Sequence, residues 1–307
     1  MPGPVASVPG VCQARVWRGA RAPAGAPPDL LVEVPHGATR QEQFDALRAA
    51  LRGPFPADLA AFFHVNTDAG APEYAAALAE RLVAEEPARS VLVLASEIPR
   101  TFIDCNRVVD ASPEEFRAGK VTPGLPPYVR DPADRALLRE RHGAWVEASA
   151  AAYAWVCGAG GLALMAHTYA PRTVEVEVDD QVVDSLRRAY RPEVEPTWPL
   201  RPEVDLIARE PGGRVLAEPL VRAASAAFAE AGFHPEVSAT YPLHPSTLGY
   251  RYAARFEPRV LCVEVRRDLL VQRFVPFVQL QPSPDKVARV VGPLARTVRT
   301  TWATAGA

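Results

Sequence analysis

Five ionisable residues stand within or directly after apolar runs of this sequence: His36, Asp68, Arg100, His167 and Glu264. Imidazole and carboxylate groups are ligands of catalytic zinc, which commonly takes three protein ligands and leaves one position for water. The metal lowers the pKa of water at that position towards neutrality, which makes hydrolysis possible at ordinary pH. The set therefore predicts a metal-dependent hydrolytic site.

The two histidines are the natural imidazole ligands of such a site. His36 stands in a Pro-His-Gly segment, and His167 stands in a Met-Ala-His-Thr-Tyr segment. We expect Asp68 to complete the ligand set, because it also comes after an apolar run. His64 is an alternative third ligand, since it follows two phenylalanines. Glu33 is expected to point to the opposite face, because it lies an odd number of residues before His36.

Glu264 lies inside a strongly apolar, β-branched run. Burial of an ionised carboxylate without a partner is costly, so this group is paired, bound to metal or protonated. Next to a metal site, a buried acid could serve as a general base and then as an acid. An ion pair with Arg255 or Arg266 is an equally weighted alternative at this point.

The most distinctive polar string is Pro-Arg-Thr-Phe-Ile-Asp-Cys-Asn-Arg at residues 99–107. An arginine guanidinium matches the geometry of a carboxylate, and a neighbouring asparagine amide can share the same anion. The string therefore favours an anionic substrate, although an exposed turn in an arginine-rich chain remains the structural alternative. Cys105 in this string has no base beside it in the sequence, which disfavours a nucleophilic role.

The apolar runs alternate with amphipathic stretches, a pattern typical of a mainly parallel sheet covered by helices. Strands are predicted at 29–34, 62–65, 91–95, 161–166 and 260–265. Helices are predicted at 41–52, 72–84, 134–154 and 217–231. We therefore expect the α/β class, with a mixed, mainly parallel central sheet and helices on both faces. The carboxyl ends of parallel strands form a ligand-binding crevice, where the five ionisable residues should converge.

The chain length and composition narrow the classes of protein to consider. The 307 residues carry 34 basic and 36 acidic side chains, a net charge of −2 that attracts neither nucleic acid nor an anionic membrane. No apolar run is long enough to cross a bilayer, and the N-terminus does not resemble a secretory signal. The four cysteines show no pairing pattern that indicates disulfides or thiolate zinc sites. We expect a cytoplasmic enzyme that acts on a small-molecule substrate. The sequence does not indicate the oligomeric state of the enzyme.

No composition shift marks a domain boundary, so residues 1–307 are expected to form one domain. The segment 190–211, rich in proline and charge, is expected to be a surface excursion within it.

The order of these motifs resembles the N-formylglutamate amidohydrolase family, which is similar to the zinc-carboxypeptidase-like hydrolases. Residues 104–107 are similar to the Asp-x-Asn-Arg segment of that wider group. Residues 167–169 are similar to its His-Ser-Tyr segment, and 263–266 to the strand that carries its catalytic glutamate. Together the matches extend from about residue 30 to 270. The resemblance implies a zinc-peptidase type of fold with Zn²⁺ as cofactor.

Carried over to this chain, the resemblance implies roles for matched positions. His36 and His167 would bind zinc, and Glu264 would transfer protons. Asn106 and Arg107 would bind the carboxylate of the substrate. Arg100 would polarise the scissile carbonyl group.

The roles expected for two further residues, Asp68 and Arg172, do not come from matched positions of the family. Thr39 stands where the wider group has a glutamate ligand, so Asp68 is the expected third ligand. Arg172 follows His167 closely and is a candidate to bind a second substrate carboxylate. Met165 stands where the family has an aspartate two residues before the histidine, and Gly37 replaces a serine.

These expectations favour a zinc-dependent hydrolase that cleaves the N-acyl amide of an amino acid such as N-formyl-L-glutamate. A zinc carboxypeptidase or peptide-trimming amidase would use the same metal ligands on a longer substrate. A non-enzymatic alternative is an inactive protein that binds carboxylates.

Overall fold

The structure is a computed structural model and describes residues 3–305. Its strands are β1 (Cys12–Arg18), β2 (Leu30–Val34), β3 (Ser90–Ser96), β4 (Leu162–Tyr169), β5 (Val204–Ile207), β6 (Pro235–Val237) and β7 (Val260–Arg266). Its α-helices are α1 (Gln41–Ala50), α2 (Leu59–Asn66), α3 (Ala71–Glu85), α4 (Pro113–Ala118), α5 (Pro132–Val156), α6 (Val182–Ala189), α7 (Glu218–Glu230), α8 (Leu248–Arg255) and α9 (Pro284–Ala305).

The strands form one seven-stranded sheet in the order β1-β3-β2-β4-β7-β5-β6. Strands β3, β2, β4 and β7 run parallel to one another in its centre. Strand β1 is antiparallel to β3 and β5 is antiparallel to β7, whereas β6 is parallel to β5. The predicted mixed, mainly parallel sheet is thus confirmed, and its central strands share one carboxyl edge.

Alternate side chains of the central strands pack into two apolar layers on opposite faces of the sheet. Leu31 and Met165 pack on one face, where α1, α2 and α5 contribute buried residues. Val32 and Leu164 pack on the other face, against buried residues of α3, α7 and α9. Helices therefore cover both faces, as predicted.

The longest helices belong to these two layers. Helix α5 buries Leu138, Trp145 and Tyr153 on one side and exposes charged residues on the other. Between residues 3 and 305, no helix combines the length and the apolar character that a membrane crossing requires.

The apolar run at 62–65 is helical, so the prediction of a strand there was wrong. Helix α2 buries Leu59, Phe62, Phe63 and Val65. A short apolar run does not distinguish a buried strand from a buried helix, which explains the error. As a consequence, Asp68 reaches the carboxyl edge of the sheet from the loop between α2 and α3.

The other predicted strands and helices are present within a few residues of their expected ends. Three short or peripheral strands were missed, namely β1, β5 and β6. Strand β5 lies in the segment 190–211 and is fully buried, so that segment is more than a surface excursion. Its four residues carry too little pattern for a strand to be identified from sequence.

Candidate active site

His36, Asp68 and His167 meet in a buried cluster at the carboxyl ends of β2 and β4. The Nδ1 atom of His36 lies 3.2 Å from Asp68 Oδ2 and 3.2 Å from His167 Nδ1. The His167 Nδ1 atom lies 3.1 Å from the same Asp68 oxygen. The structure thus brings together the three residues that sequence analysis proposes as metal ligands. We call them the triad.

The triad atoms fit a divalent metal ion. His36 Nε2 lies 2.8 Å from Asp104 Oδ1, so Nδ1 is the ring nitrogen that faces the other two triad residues. Nδ1 of His36, Nδ1 of His167 and one oxygen of Asp68 therefore converge, and a shared cation or proton between them would stabilise this arrangement. Zinc bonds of 2.0–2.2 Å in tetrahedral geometry separate neighbouring ligand atoms by roughly 3.3–3.6 Å. The observed spacing is close to this value.

The position of His36 depends on a tight approach between two parts of the chain. Strand β2 ends at Val34, and the chain then turns through residues 35–37. A Cβ atom on Gly37 would lie 2.8 Å from the Ser96 carbonyl oxygen at the end of β3. Only glycine allows this approach without a shift of the turn, so it fixes His36 beside the sheet edge.

Asp68 is held in the loop that leads into α3. Its Oδ1 atom accepts a hydrogen bond from Arg100 Nη1 at 3.2 Å, and Oδ2 accepts one from the Thr168 backbone N–H at 3.1 Å. Burial alone would raise the pKa of Asp68. The charge of His36, hydrogen bonds with both histidines and the charge of Arg100 outweigh burial and hold this pKa well below its ordinary value. The carboxylate is therefore ionised.

Asp104 orients the ring of His36 from the side away from the triad. Besides His36 Nε2, it accepts hydrogen bonds from the Asn106 backbone N–H and from Arg100 Nη2, both at 2.8 Å. Burial would raise its pKa, but Arg107, Arg100 and His36 hold it well below the ordinary value. A carboxylate behind a ligating histidine fixes the tautomer and orientation of that histidine. Sequence analysis included Asp104 in a motif without assigning it this contact.

Glu264 adjoins His167 on the neighbouring strand, since the two residues are in register on β7 and β4. The Tyr241 hydroxyl donates to Glu264 Oε1, and Oε2 has no hydrogen-bond partner among residues 3–305. Burial raises the pKa of Glu264 above its ordinary value, against the attraction of His167. A carboxyl with one free oxygen beside the triad suits proton transfer.

The ion-pair alternative for Glu264 is wrong in this structure. Arg266 binds Asp268 instead, with an Nε–Oδ1 distance of 2.8 Å. The Arg255 guanidinium lies over the Phe256 ring, 5.2 Å from its centroid.

A cavity of about 260 Å³ opens beside the triad. This volume lies below the roughly 300–1,000 Å³ typical of pockets for drug-sized ligands, so an amino-acid-sized ligand suits it better than a long peptide. Among the residues proposed from sequence, its lining contains His36, Arg100, Asn106, Arg107, His167, Arg172 and Glu264. Asp68 lies behind this lining.

The proposed substrate-binding residues also make hydrogen bonds and close contacts within the protein. Arg107 donates from Nε to the Thr122 carbonyl oxygen at 3.1 Å and lies 3.5 Å from Asp104. Asn106 Nδ2 lies 3.4 Å from His167 Nε2. Arg172 donates to the Trp198 carbonyl oxygen at 2.6 Å.

Sequence analysis missed several lining residues. Arg201 lies over the Tyr169 ring at 5.0 Å, and in the described chain no carboxylate pairs with it or with Arg172. Arg201 and Tyr241 come from distant loops, so no local signal identifies them. By contrast, Val174, Val176 and Val178 alternate with glutamates, and this period of two is visible in the sequence.

The structure also places the residues that were weighed as alternatives. His64 lies on α2, and its Nε2 atom is 2.7 Å from Gln41 Oε1, outside the triad. Cys105 is 1% exposed, and burial raises the pKa of its thiol, which opposes a nucleophilic role. Glu33 is buried and accepts a hydrogen bond from Tyr153 at 2.8 Å, outside the triad.

Comparison with known proteins supports the fold. No protein-family model matches the chain, and no curated protein sequence matches it. A solved structure of an N-formylglutamate amidohydrolase from Ralstonia eutropha JMP134 is 16% identical, with a TM-score of 0.53 over 96% of this chain and 99% of that one. A gene product of Agrobacterium tumefaciens is also 16% identical, with a TM-score of 0.52 over 96% of each chain. This chain therefore has the fold of the N-formylglutamate amidohydrolase structure, as the sequence resemblance predicts.

Proposed function

We propose that this chain is a zinc-dependent amidohydrolase that cleaves the N-acyl amide of an amino acid, with N-formyl-L-glutamate as a reference substrate. The proposal treats residues 1–307 as one catalytic domain. The observation that carries it is the triad, with 3.1–3.2 Å between its facing atoms, next to Glu264 at a small cavity. The name of the Ralstonia eutropha structure supports the same reaction class.

The donor set suits zinc, because two imidazoles and one carboxylate are common ligands of catalytic zinc sites. His36, Asp68 and His167 would hold the ion. When bound, zinc supplies a Lewis acid and lowers the pKa of water, which makes water a nucleophile near neutral pH. The ionised state of Asp68 matches this requirement, and the contact of His36 Nε2 with Asp104 leaves Nδ1 to face the site.

Two residues of the cavity wall are proposed to position the substrate. Asn106 presents its amide Nδ2 beside His167, and the Arg107 guanidinium lines the same cavity. Together they would bind the α-carboxylate of the substrate and bring the acyl carbonyl group towards the triad. Fixed orientation of this kind supplies a large share of catalytic rate enhancement.

Arg100 is proposed to stabilise negative charge on the carbonyl oxygen during attack. Asp68 and Asp104 already hold its guanidinium, at 3.2 and 2.8 Å. Its orientation is therefore set before a substrate arrives, which is the arrangement that favours stabilisation of a developing oxyanion.

Glu264 is proposed to move the proton. Its free Oε2 would take one proton from the attacking water, whose oxygen forms a bond to the acyl carbon. The same carboxyl would then give the proton to the amide nitrogen as the carbon–nitrogen bond breaks. The products are a carboxylic acid and a free amino acid, so atoms and charges balance.

Metal content and hydrolysis, measured together, test this proposal. We expect about one zinc per chain by elemental analysis, and release of free amino acid from N-formyl or N-acetyl amino acids. Removal of metal with a chelator should abolish hydrolysis, and added zinc should restore it. Cleavage of peptides but not of N-acyl amino acids would replace the proposal with a carboxypeptidase activity. Binding of carboxylates without zinc or hydrolysis would indicate an inactive binding protein.

A further inference from the structure

The cavity has an apolar wall that the proposed reaction does not use. Its six side chains come from α2, from α6 and from segment 174–178, which lies between β4 and α6. They are Phe62, Val65, Val174, Val176, Val178 and Leu186. We call this set the apolar wall.

Segment 174–178 presents alternate side chains to the cavity. Val174, Val176 and Val178 line the cavity and are half-buried, whereas Glu175 and Glu177 between them are exposed. Successive side chains point to opposite sides in a locally extended chain, and the alternation of exposure indicates that conformation here. The valine methyl groups are therefore directed inwards by the backbone and remain partly uncovered.

The apolar wall lies next to the reacting groups. Val65 belongs to the last turn of α2, three residues before Asp68. Its carbonyl oxygen accepts a hydrogen bond from Arg267 Nη1, and Arg267 Nε contacts Thr168 Oγ1 beside His167. A ligand group against this wall is thus close to the scissile bond of a substrate held at the triad.

A charged group is also available at one end of the same segment. Arg172 lines the same cavity as Val174, and in the described residues no carboxylate pairs with it. A second carboxylate of a ligand would therefore find a partner in Arg172, close to the valines that would contact an apolar group.

We propose that the substrate is an N-acyl amino acid with an apolar group, in its side chain or acyl chain, which binds against the apolar wall. This inference rests on the proposed function and specifies its substrate class. Uncovered methyl groups in a confined cavity gain free energy when a ligand displaces water from them. Each added methylene should increase kcat/KM about fourfold, from about 0.8 kcal/mol per buried methylene, until the cavity is full.

Two substrate series locate the apolar group. The first series lengthens the side chain in N-formyl-glycine, -alanine, -norvaline and -norleucine, with N-formyl-glutamate as reference. The second lengthens the acyl chain of glycine from formyl to acetyl, butyryl and hexanoyl. In one of the two series, kcat/KM should increase with each methylene, and its longest member should exceed N-formyl-glutamate at least tenfold. A flat response in both series, with N-formyl-glutamate preferred, would overturn the inference.

A binding measurement separates this inference from the proposed reaction. Calorimetry on chelator-treated protein should show the same increase in affinity along the favoured series, without turnover. If no N-acyl amino acid is hydrolysed by the zinc-loaded protein, the proposed function fails whatever the calorimetry shows. If hydrolysis occurs but affinity does not depend on chain length, only the present inference fails.

Substitution at the wall provides the matched control. Val176→Asp should reduce affinity for the longest ligand at least tenfold, whereas Glu177→Ala, on the exposed side of the same segment, should leave it unchanged. Val176→Ala, which removes two methyl groups and no hydrogen bond, serves if the aspartate variant does not fold. It should weaken binding of the same ligand several-fold. Equal affinities of this variant and the unmodified chain would contradict the assignment of the apolar group to this wall.

Discussion

Glu33 and Glu264 are buried glutamates on the same sheet, and of these two only Glu264 lines the cavity. Each accepts a hydrogen bond from one tyrosine, Tyr153 or Tyr241, and each keeps one oxygen without a partner within the described chain. Burial raises the pKa of both carboxyls, that of Glu33 to about 8. By residue type, burial and pKa alone, the two sites are hard to tell apart.

Their positions along the strands separate them. Glu33 is level with Met165 of β4, whereas Glu264 is level with His167, two residues further towards the carboxyl edge. Two residues of a strand span about 7 Å. Helix α5 closes over Glu33 through Tyr153, while Glu264 borders the open cavity. Access to a cavity and an imidazole neighbour, more than burial, therefore distinguish the candidate catalytic acid.

The largest expected effect is a change in the free energy of unfolding with pH, caused by the titration of Glu33. Between pH 4.5 and about 8, folded Glu33 keeps a proton that the unfolded chain has lost. The free energy of unfolding therefore falls as pH increases through this range, by up to roughly 5 kcal/mol. Glu33→Gln removes the titrating group, so its stability relative to the unmodified chain should increase with pH. Denaturant unfolding at pH 5 to 9 measures this difference.

Two outcomes would contradict the description of Glu33 as a protonated carboxyl that takes no part in the reaction. Parallel stability profiles for the variant and the unmodified chain would show that Glu33 is ionised in the folded protein. A large loss of hydrolysis in Glu33→Gln at pH 6, with the fold intact, would show that this buried carboxyl also serves the reaction.

The same substitution at the second glutamate should affect turnover. Glu264→Gln keeps the side-chain shape but removes the proton acceptor, and general acid–base catalysis typically contributes 10²- to 10⁴-fold. We expect kcat to fall by about that factor while zinc content stays near one per chain. Glu33→Gln is the matched control, assayed at pH 6 with the same substrate. Equal activities of the two variants would remove Glu264 from the proposed mechanism.

The sequence carries enough information to place most of this site. His36, His167 and Glu264 interrupt apolar runs, and a polar residue at the end of a buried strand needs a specific reason to be there. The strands β2, β3, β4 and β7 are long enough for their apolar runs to be recognised, so the parallel centre of the sheet follows from pattern.

The remainder depends on contacts that no local pattern encodes. Asp68 was assigned to the triad for a wrong reason, since a helix and not a strand precedes it. Glu33 was expected to point to the opposite face from the site, yet it shares the face of His167 one level lower. The alternation argument fails because His36 lies in a turn beyond the strand end, where the period of two no longer applies.

Two buried aspartates, Asp104 and Asp134, differ in the same way in their distance from the triad. Asp104 holds His36 Nε2 at 2.8 Å, whereas Asp134 accepts hydrogen bonds from the backbone N–H groups of Arg52 and Gly53, both at 2.8 Å, outside the triad. Loss of a carboxylate behind a metal-binding histidine typically weakens metal affinity 10- to 100-fold. Asp104→Asn should therefore weaken zinc binding by about that factor in a chelator competition.

Asp134→Asn is the control for this last prediction, because it makes the same chemical change at an equally buried position. It should lower the free energy of unfolding while leaving zinc affinity unchanged, since its partners are the backbone N–H groups of Arg52 and Gly53, which follow α1. Asp104→Asn also removes the negative charge that faces Arg100 and Arg107, so thermal unfolding must be measured for both variants. If the two variants lose stability and zinc affinity in the same proportion, Asp104 acts through general folding and not through His36.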